Sequence, residues 1–237
     1  FTPFTKRTLL PVNRVTSMSS RACLKKHAFD TIIMEDTKMI KAGIIGATGY
    51  AGGELVRILM GHKDAEVVWY GSRSYVDQKY ADVYRNMFKL VDAKCMDDNM
   101  EQLANEVDVI FTATPQGLCA SLVNDEILSK TKIIDLSADF RLKDVNVYEQ
   151  WYKLEHKAPQ YIDEAVYGLC EINRDKVSKD TRIIANPGCY TTTSILTLYP
   201  MVKEGIINPD TIIIDAKRIL RLMVLQLTDI HLRLRSS

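Results

Sequence analysis

Apolar residues in this chain gather in short solid runs, and between them lie stretches with helical spacing. Ile40 to Ile45 is the first run, too short for a helix and followed at once by glycines, so it reads as a buried strand. Leu55, Ile58 and Leu59 then recur at helical spacing within Glu54 to Met60. Ala65 to Tyr70, Val107 to Thr114, Lys132 to Ser137 and Arg182 to Ala185 predict further strands. Leu118, Leu122 and Val123 predict a helix running up to Leu128, and Ser194 to Val202 predicts another. Strands alternating with helices imply an α/β fold built on a doubly wound parallel sheet.

Between the first strand and the first helix stands Gly46-Ala47-Thr48-Gly49-Tyr50-Ala51-Gly52-Gly53. Strand, glycine turn and helix in that order are the context of a Rossmann-type dinucleotide site. The glycines allow a tight turn and a close approach to a pyrophosphate, which then rests on the helix N-terminus. Gly46, Thr48, Gly49 and Gly52 are therefore expected to bind cofactor. The second strand ends in Gly71-Ser72-Arg73-Ser74. Many NAD-binding sheets carry an acid there for the ribose 2′-hydroxyl. A hydroxyl and a guanidinium suit a 2′-phosphate instead, so Ser72 and Arg73 predict NADP(H) over NAD(H). Arg73 in a solvated turn is the structural alternative. Ligands on such sheets bind beyond the carboxyl ends of the strands. Thr114-Pro115-Gln116-Gly117 and Ser137 to Arg141 also follow strand ends, which adds Pro115 and Ser137 to the expected cofactor rim.

Composition narrows the function classes. The chain has 237 residues, 46% apolar, with a net charge of +1. That near balance gives no case for a nucleic-acid or membrane partner, and no apolar run is long enough to span a bilayer. Five cysteines stand scattered without paired spacing, which fits free thiols in a reducing, cytoplasmic setting. The four histidines make no ligand-spaced cluster with them, so no metal site is expected. His62, after the first helix, and His156, in a polar segment, read as surface residues. Residues 1–38 are basic, with no acid before Asp30, and predict a disordered leader or non-native upstream sequence; an organelle transit peptide is the other reading. Residues 218–237 form an atypical tail with neither helical nor strand period.

The segment Asn186-Pro187-Gly188-Cys189-Tyr190 carries the chemistry. It places Cys189 between a strand-like run and a helix-like run. Backbone N–H groups and the positive end of a helix dipole favour thiolate over thiol at such a position, and a thiolate is a nucleophile for acyl transfer. A buried helix-start cysteine packed as a small apolar residue is the structural alternative.

Taken together, Gly46 to Gly52, Gly71 to Ser74, Thr114 to Gly117, Asp135-Leu136-Ser137-Ala138-Asp139-Phe140-Arg141-Leu142, Tyr167 to Glu171 and Asn186 to Tyr190 resemble the N-acetyl-gamma-glutamyl-phosphate reductases of the semialdehyde dehydrogenase family. The likeness runs from about Met39 to Lys217. Many relatives have proline where this chain has Cys170 and Thr191. The resemblance implies an NADP-binding domain over 39–186 and the start of an α+β catalytic domain over 187–217. It implies NADPH-dependent reduction of an acyl-phosphate substrate through a thioester on Cys189, in arginine biosynthesis, by an enzyme that is a homo-oligomer when complete. Asn186, Gly188 and the N–H groups after Cys189 would then hold the oxyanion, and Arg141 a substrate carboxylate or phosphate. A structural salt bridge is the other reading of Arg141.

Beyond Lys217 the resemblance stops. The family continues with a serine/glycine-rich segment and a histidine motif, whereas Arg218-Ile219-Leu220 follows here and His231 does not match. No catalytic histidine is assigned, and the simplest account is a truncation or frame shift after Lys217. A non-catalytic NADP-binding fragment is therefore an open alternative. Aspartate-semialdehyde dehydrogenase is a further one, though the Asp-Leu-Ser-Ala-Asp-Phe-Arg and Asn-Pro-Gly-Cys-Tyr segments argue against it.

Overall fold

The structure is a computed structural model that describes residues 39–215. The expected leader over 1–38 and the tail over 218–237, with Lys217 and His231, lie outside these residues. Two compact units divide the chain at Gly188 and Cys189.

The first unit is a parallel sheet. Its strands are β1 (Ile40–Ile45), β2 (Ala65–Tyr70), β3 (Val109–Thr112), β4 (Lys132–Asp135), β5 (Val166–Tyr167) and β6 (Ile183–Ala185), in the order β2-β1-β3-β4-β6-β5. Each neighbouring pair is parallel. The chain turns one way from β1 to β2 and the other way to β3, so a crevice opens at the carboxyl ends of β1 and β3.

Side chains alternate across a strand, so a sheet covered on both faces needs apolar residues at successive positions. In β3, Ile110 joins one core cluster while Val109 and Phe111 join the other. Ile133 and Ile134 of β4 split in the same way, as do Ile183 and Ile184 of β6. This is why the strands read as solid runs. Helix α1 (Tyr50–Leu59) covers one face with Leu55, Val56 and Leu59.

The elements differ from expectation in several places. Helix α1 begins at Tyr50, inside the glycine segment. The short helices α2 (Tyr80–Val83) and α3 (Met100–Leu103) have no counterpart in the sequence reading. The single helix expected up to Leu128 is two, α4 (Leu118–Leu122) and α5 (Asp125–Lys130). They break because the Asn124 side chain accepts from Ile127 N and caps a new start. Helix α6 (Val145–Tyr152) has no counterpart in the sequence pattern and is capped by Asp144, and α7 (Cys170–Asn173) follows β5.

Among the described residues the second unit holds helix α8 (Cys189–Lys203) and a 3₁₀ turn at Pro209–Thr211. Helix α8 is longer than the Ser194 to Val202 run and includes Cys189 as its first residue. Thr192 is its buried side chain.

Candidate functional site

The glycine turn is built by contact as well as by torsion. Gly46 has φ +79°, and a Cβ on it would stand 2.5 Å from the Ala113 carbonyl oxygen. Only glycine therefore lets β1 turn this close to the end of β3. A Cβ on Gly52 would stand 2.1 Å from the Gly46 carbonyl oxygen and 2.7 Å from Ala47 Cα. The first turn of α1 thus rests directly on the backbone of the loop that feeds it.

Two tyrosines hold the turn from the β2 side. Tyr80 donates to the Ala47 carbonyl at 3.0 Å, and Tyr84 donates to the Gly49 carbonyl at 2.9 Å and the Thr48 carbonyl at 3.2 Å. Their rings stack 5.4 Å apart, and Tyr80 is wholly buried. The N-cap of α1, Gly49, supplies no side-chain oxygen, and the first turn has no acid. The N–H groups of Thr48, Ala51 and Gly52 have no hydrogen-bond partner among the described residues. Free N–H groups at a helix start attract an anion.

Thr48 and Ser72 hydroxyls meet at 2.8 Å and join the turn to the end of β2, with Ser72 buried. Arg73 is exposed and donates through Nε to Asp98 at 3.1 Å. At the end of β3, Thr114 Oγ1 is buried without a hydrogen-bond partner, while Pro115 stands exposed beside it. An orphaned buried hydroxyl, bare N–H groups and a cradle that a Cβ would fill together fit a bound dinucleotide.

Beneath this rim lies a buried polar network that the sequence reading did not resolve. Asp135 Oδ1 accepts from the Thr112 hydroxyl at 2.7 Å, and its Oδ2 accepts from the Ser137 hydroxyl at 2.7 Å. Burial pushes the Asp135 carboxyl up, while the bonds from Ser137 and Thr112 oppose that shift. Ser137 Oγ also accepts from Asp139 N. Ser137, expected to meet the cofactor, is thus buried with its hydroxyl committed inside the turn.

Asp139 is fully buried and accepts from Gly117 N at 2.7 Å, Ala120 N at 3.0 Å and the Tyr148 hydroxyl at 2.9 Å. It caps α4 and locks the Thr114–Gly117 loop. His156 is buried, not a surface residue. Its Nδ1 accepts from Ala158 N, so its Nε2–H donates to the Asp139 carbonyl at 2.6 Å. Its ring stands edge-on to Phe140 and Tyr148. His62 is half-buried, and its Nδ1 accepts from Asp64 N.

Arg141 makes no ion pair among the described residues, so the salt-bridge reading does not hold. Its Nε donates to the Asn186 carbonyl at 2.8 Å and its Nη2 to the Leu136 carbonyl at 2.6 Å, clamping the ends of β4 and β6. The Asn186 amide donates to the Pro187 carbonyl. Cys189, in the second unit, is exposed at the first position of α8, and its carbonyl accepts from the Thr193 hydroxyl at 3.0 Å. The described residues contain no group of three side chains able to hold a metal, and no helix among them is long and apolar enough to cross a membrane.

The sequence reading missed Tyr80, Tyr84, Asp98 and Tyr148. The Asp-Leu-Ser-Ala-Asp-Phe-Arg run was visible as a motif, but the role of its carboxylates in stitching loops was not.

The semialdehyde dehydrogenase NAD-binding domain family matches residues 41–180. Over 179 residues the chain is 95% identical to an N-acetyl-gamma-glutamyl-phosphate reductase of Lachnospira eligens, covering 76% of this chain and 51% of that protein. It is 64% identical to the protein of that name from Lachnoclostridium phytofermentans, with the same coverage. The chain thus spans about half the length of the curated relatives it matches. Among solved structures, aspartate semialdehyde dehydrogenase II from Vibrio cholerae superposes with a TM-score of 0.51 at 17% identity, over 70% of this chain and 43% of that one, a likeness of fold alone.

Proposed function

We infer, since the chain belongs to the semialdehyde dehydrogenase family through its NAD-binding domain, that it serves the NADPH-dependent reduction of N-acetyl-glutamyl 5-phosphate to the 5-semialdehyde and phosphate, a step in arginine biosynthesis. The observation that carries the cofactor half is the bare N-terminus of α1, seated through Gly52 on the Gly46 carbonyl at the β1/β3 crevice. The names of the relatives support the substrate.

The N–H groups of Thr48, Ala51 and Gly52 would hold the pyrophosphate, and Ser72 and Arg73 the 2′-phosphate end. Bound NADPH would supply hydride to an acyl carbonyl. Cys189 sulfur would attack the acyl-phosphate carbon, forming a C–S bond as the C–O bond breaks and phosphate departs with the electron pair. When the C–S bond later breaks, the sulfur leaves as thiolate and is ready again. The first-turn N–H groups of α8 favour negative charge at that helix end. Arg141, with Nη1 left over from its two clamps, and Asn186 are the candidates for substrate carboxylate or phosphate. Cys95, Cys119, Cys170 and Cys189 form no disulfide among the described residues, which fits a reducing compartment, and we place the reaction in the cytoplasm. A homo-oligomer of the complete enzyme is part of the same proposal.

The test uses the purified chain with NADPH and N-acetyl-glutamyl phosphate, following cofactor absorbance and phosphate release. Both signals should vanish in Cys189→Ser while NADPH binding persists. Turnover that survives the substitution defeats the thioester, and NADPH binding without any turnover in the unaltered chain favours the fragment reading.

A further inference from the structure

Asp98 belongs to none of the sequence motifs, yet it reaches the same rim. Met96 pairs with Gly71 in a parallel bridge, Ser72 N donates to the Met96 carbonyl, and Trp69 Nε1 donates to the Asp97 carbonyl at 2.9 Å. This segment therefore lies along β2 as an extra edge and delivers Asp98 to its carboxyl end. The Asp98 side chain is 12% exposed. Its Oδ1 makes no hydrogen bond and lies 2.9 Å from where a Cβ on Gly71 would stand. Its Oδ2 accepts from Arg73 Nε. Burial pushes this carboxyl up, and the Arg73 charge pulls it back down. The Gly46 N–H also favours its charge without closing a hydrogen bond to Oδ1.

Arg73 is the exposed member of the pair, at 62%, and its Nη edge has no partner among the described residues. A guanidinium is a rigid plane, so an acceptor on Nε fixes where the Nη pair points. We propose that Asp98 is a positioning residue for cofactor choice, holding Arg73 by its Nε edge so that the free Nη pair faces the 2′-phosphate of NADPH. The proposal rests on the reading of the rim as an NADP site. Two other effects of the same carboxylate oppose it. A charge near the phosphate repels it, and an acid at the end of β2 can accept from a ribose hydroxyl, as in NAD-binding sheets. Asp98 is tucked beside Gly71 and already paired, whereas Arg73 stands in solvent, so a ligand meets the arginine first.

The experiment titrates NADPH and NADH, separately, into the 237-residue chain by calorimetry. Arg73→Ala should weaken NADPH and leave NADH within about twofold. Asp98→Asn, which keeps the shape, should weaken NADPH about three- to tenfold and leave NADH within about twofold. In an Arg73→Ala background Asp98→Asn should bring no further loss of NADPH binding, because no Nε edge remains to be held. Thermal melts of each variant show that the fold is retained. Tighter NADPH binding in Asp98→Asn means that the carboxylate only repels, and equal losses for both cofactors mean that it serves the ribose or the rim at large; either overturns the proposal. If Arg73→Ala leaves the NADPH-to-NADH ratio unchanged, the NADP reading itself falls, whereas a shift with Arg73→Ala but none with Asp98→Asn removes the Asp98 role alone.

Discussion

Gly52→Ala isolates the contact on which the cofactor cradle stands. The added methyl would meet the Gly46 carbonyl oxygen at 2.1 Å, Ala47 Cα at 2.7 Å and Ala47 C at 2.9 Å. Nonbonded heavy atoms settle near ~3.5 Å, so the start of α1 must withdraw by about 1.4 Å. All three atoms are backbone, and none can rotate aside. Such overpacking costs about 1–3 kcal/mol. Replacing glycine inside a helix returns roughly 0.5–1 kcal/mol, which leaves a net loss of about 0–2.5 kcal/mol. Cofactor affinity should fall further than stability. The Ala51 and Gly52 N–H groups move with the helix, and each hydrogen bond to a charged group is worth about 1.5–3 kcal/mol. A loss of at least tenfold in NADPH binding is expected, read by calorimetric titration, with urea denaturation giving the stability change. Two further substitutions calibrate the result. Gly53→Ala meets the Tyr84 ring at 2.8 Å, a side chain that can tilt at the expense of its bonds to the turn, so its effect should be intermediate. Gly61→Ala meets nothing nearer than 3.7 Å and should be neutral or slightly stabilising. If Gly52→Ala matches Gly61→Ala in both measurements, the packing argument is wrong.

Asp135 gives a pH signature. Burial raises its carboxyl in the folded chain, so the unfolded chain loses that proton first. The stability it contributes is full below about pH 4 and is lost as pH climbs through the raised value. Asp135→Asn cannot ionise, so urea denaturation at a series of pH values should show the variant gaining on the unaltered protein from about pH 4 to 7. A gap that stays constant or moves the other way refutes this. Cysteine exposure gives a second test. Cys189 is exposed while Cys95, Cys119 and Cys170 are buried, so brief alkylation followed by peptide mass mapping should mark Cys189 well ahead of those three. Equal labelling in the folded chain would contradict the packing.

Five of the six strands were legible because a sheet covered on both faces needs consecutive apolar residues, as β1, β3 and β4 supply; β5, two residues long, was not. The glycine turn was legible because its spacing is tied to a backbone contact. Residues 75–98 were not. Their elements are a few residues long and have no period to detect, and Tyr80 and Tyr84 act through hydroxyls on distant carbonyls. The break at Asn124 is written in the sequence as Asn-Asp-Glu ahead of apolar residues, but the apolar spacing runs across it as it would through one helix. His156 looked like a surface residue because its neighbours are polar. What buries it is a carbonyl 17 positions away at Asp139 and the rings of Phe140 and Tyr148, and local composition cannot show that. The contacts that Arg141 and Ser137 make within the chain were not legible, because carbonyl clamps and hydroxyl-to-carboxylate stitching depend on which strand ends come to lie together.

The two phenols under the glycine loop bear on the thermodynamics of ligand capture. A loop whose carbonyls are already tied down has surrendered its conformational freedom during folding, so a nucleotide arriving there has little chain left to organise. Association then loses mainly the ligand's own translational and rotational freedom. Removing either hydroxyl shifts the ordering from the folding step to the binding step, and the change registers as a less favourable entropy of association even where the contacts in the complex are the same.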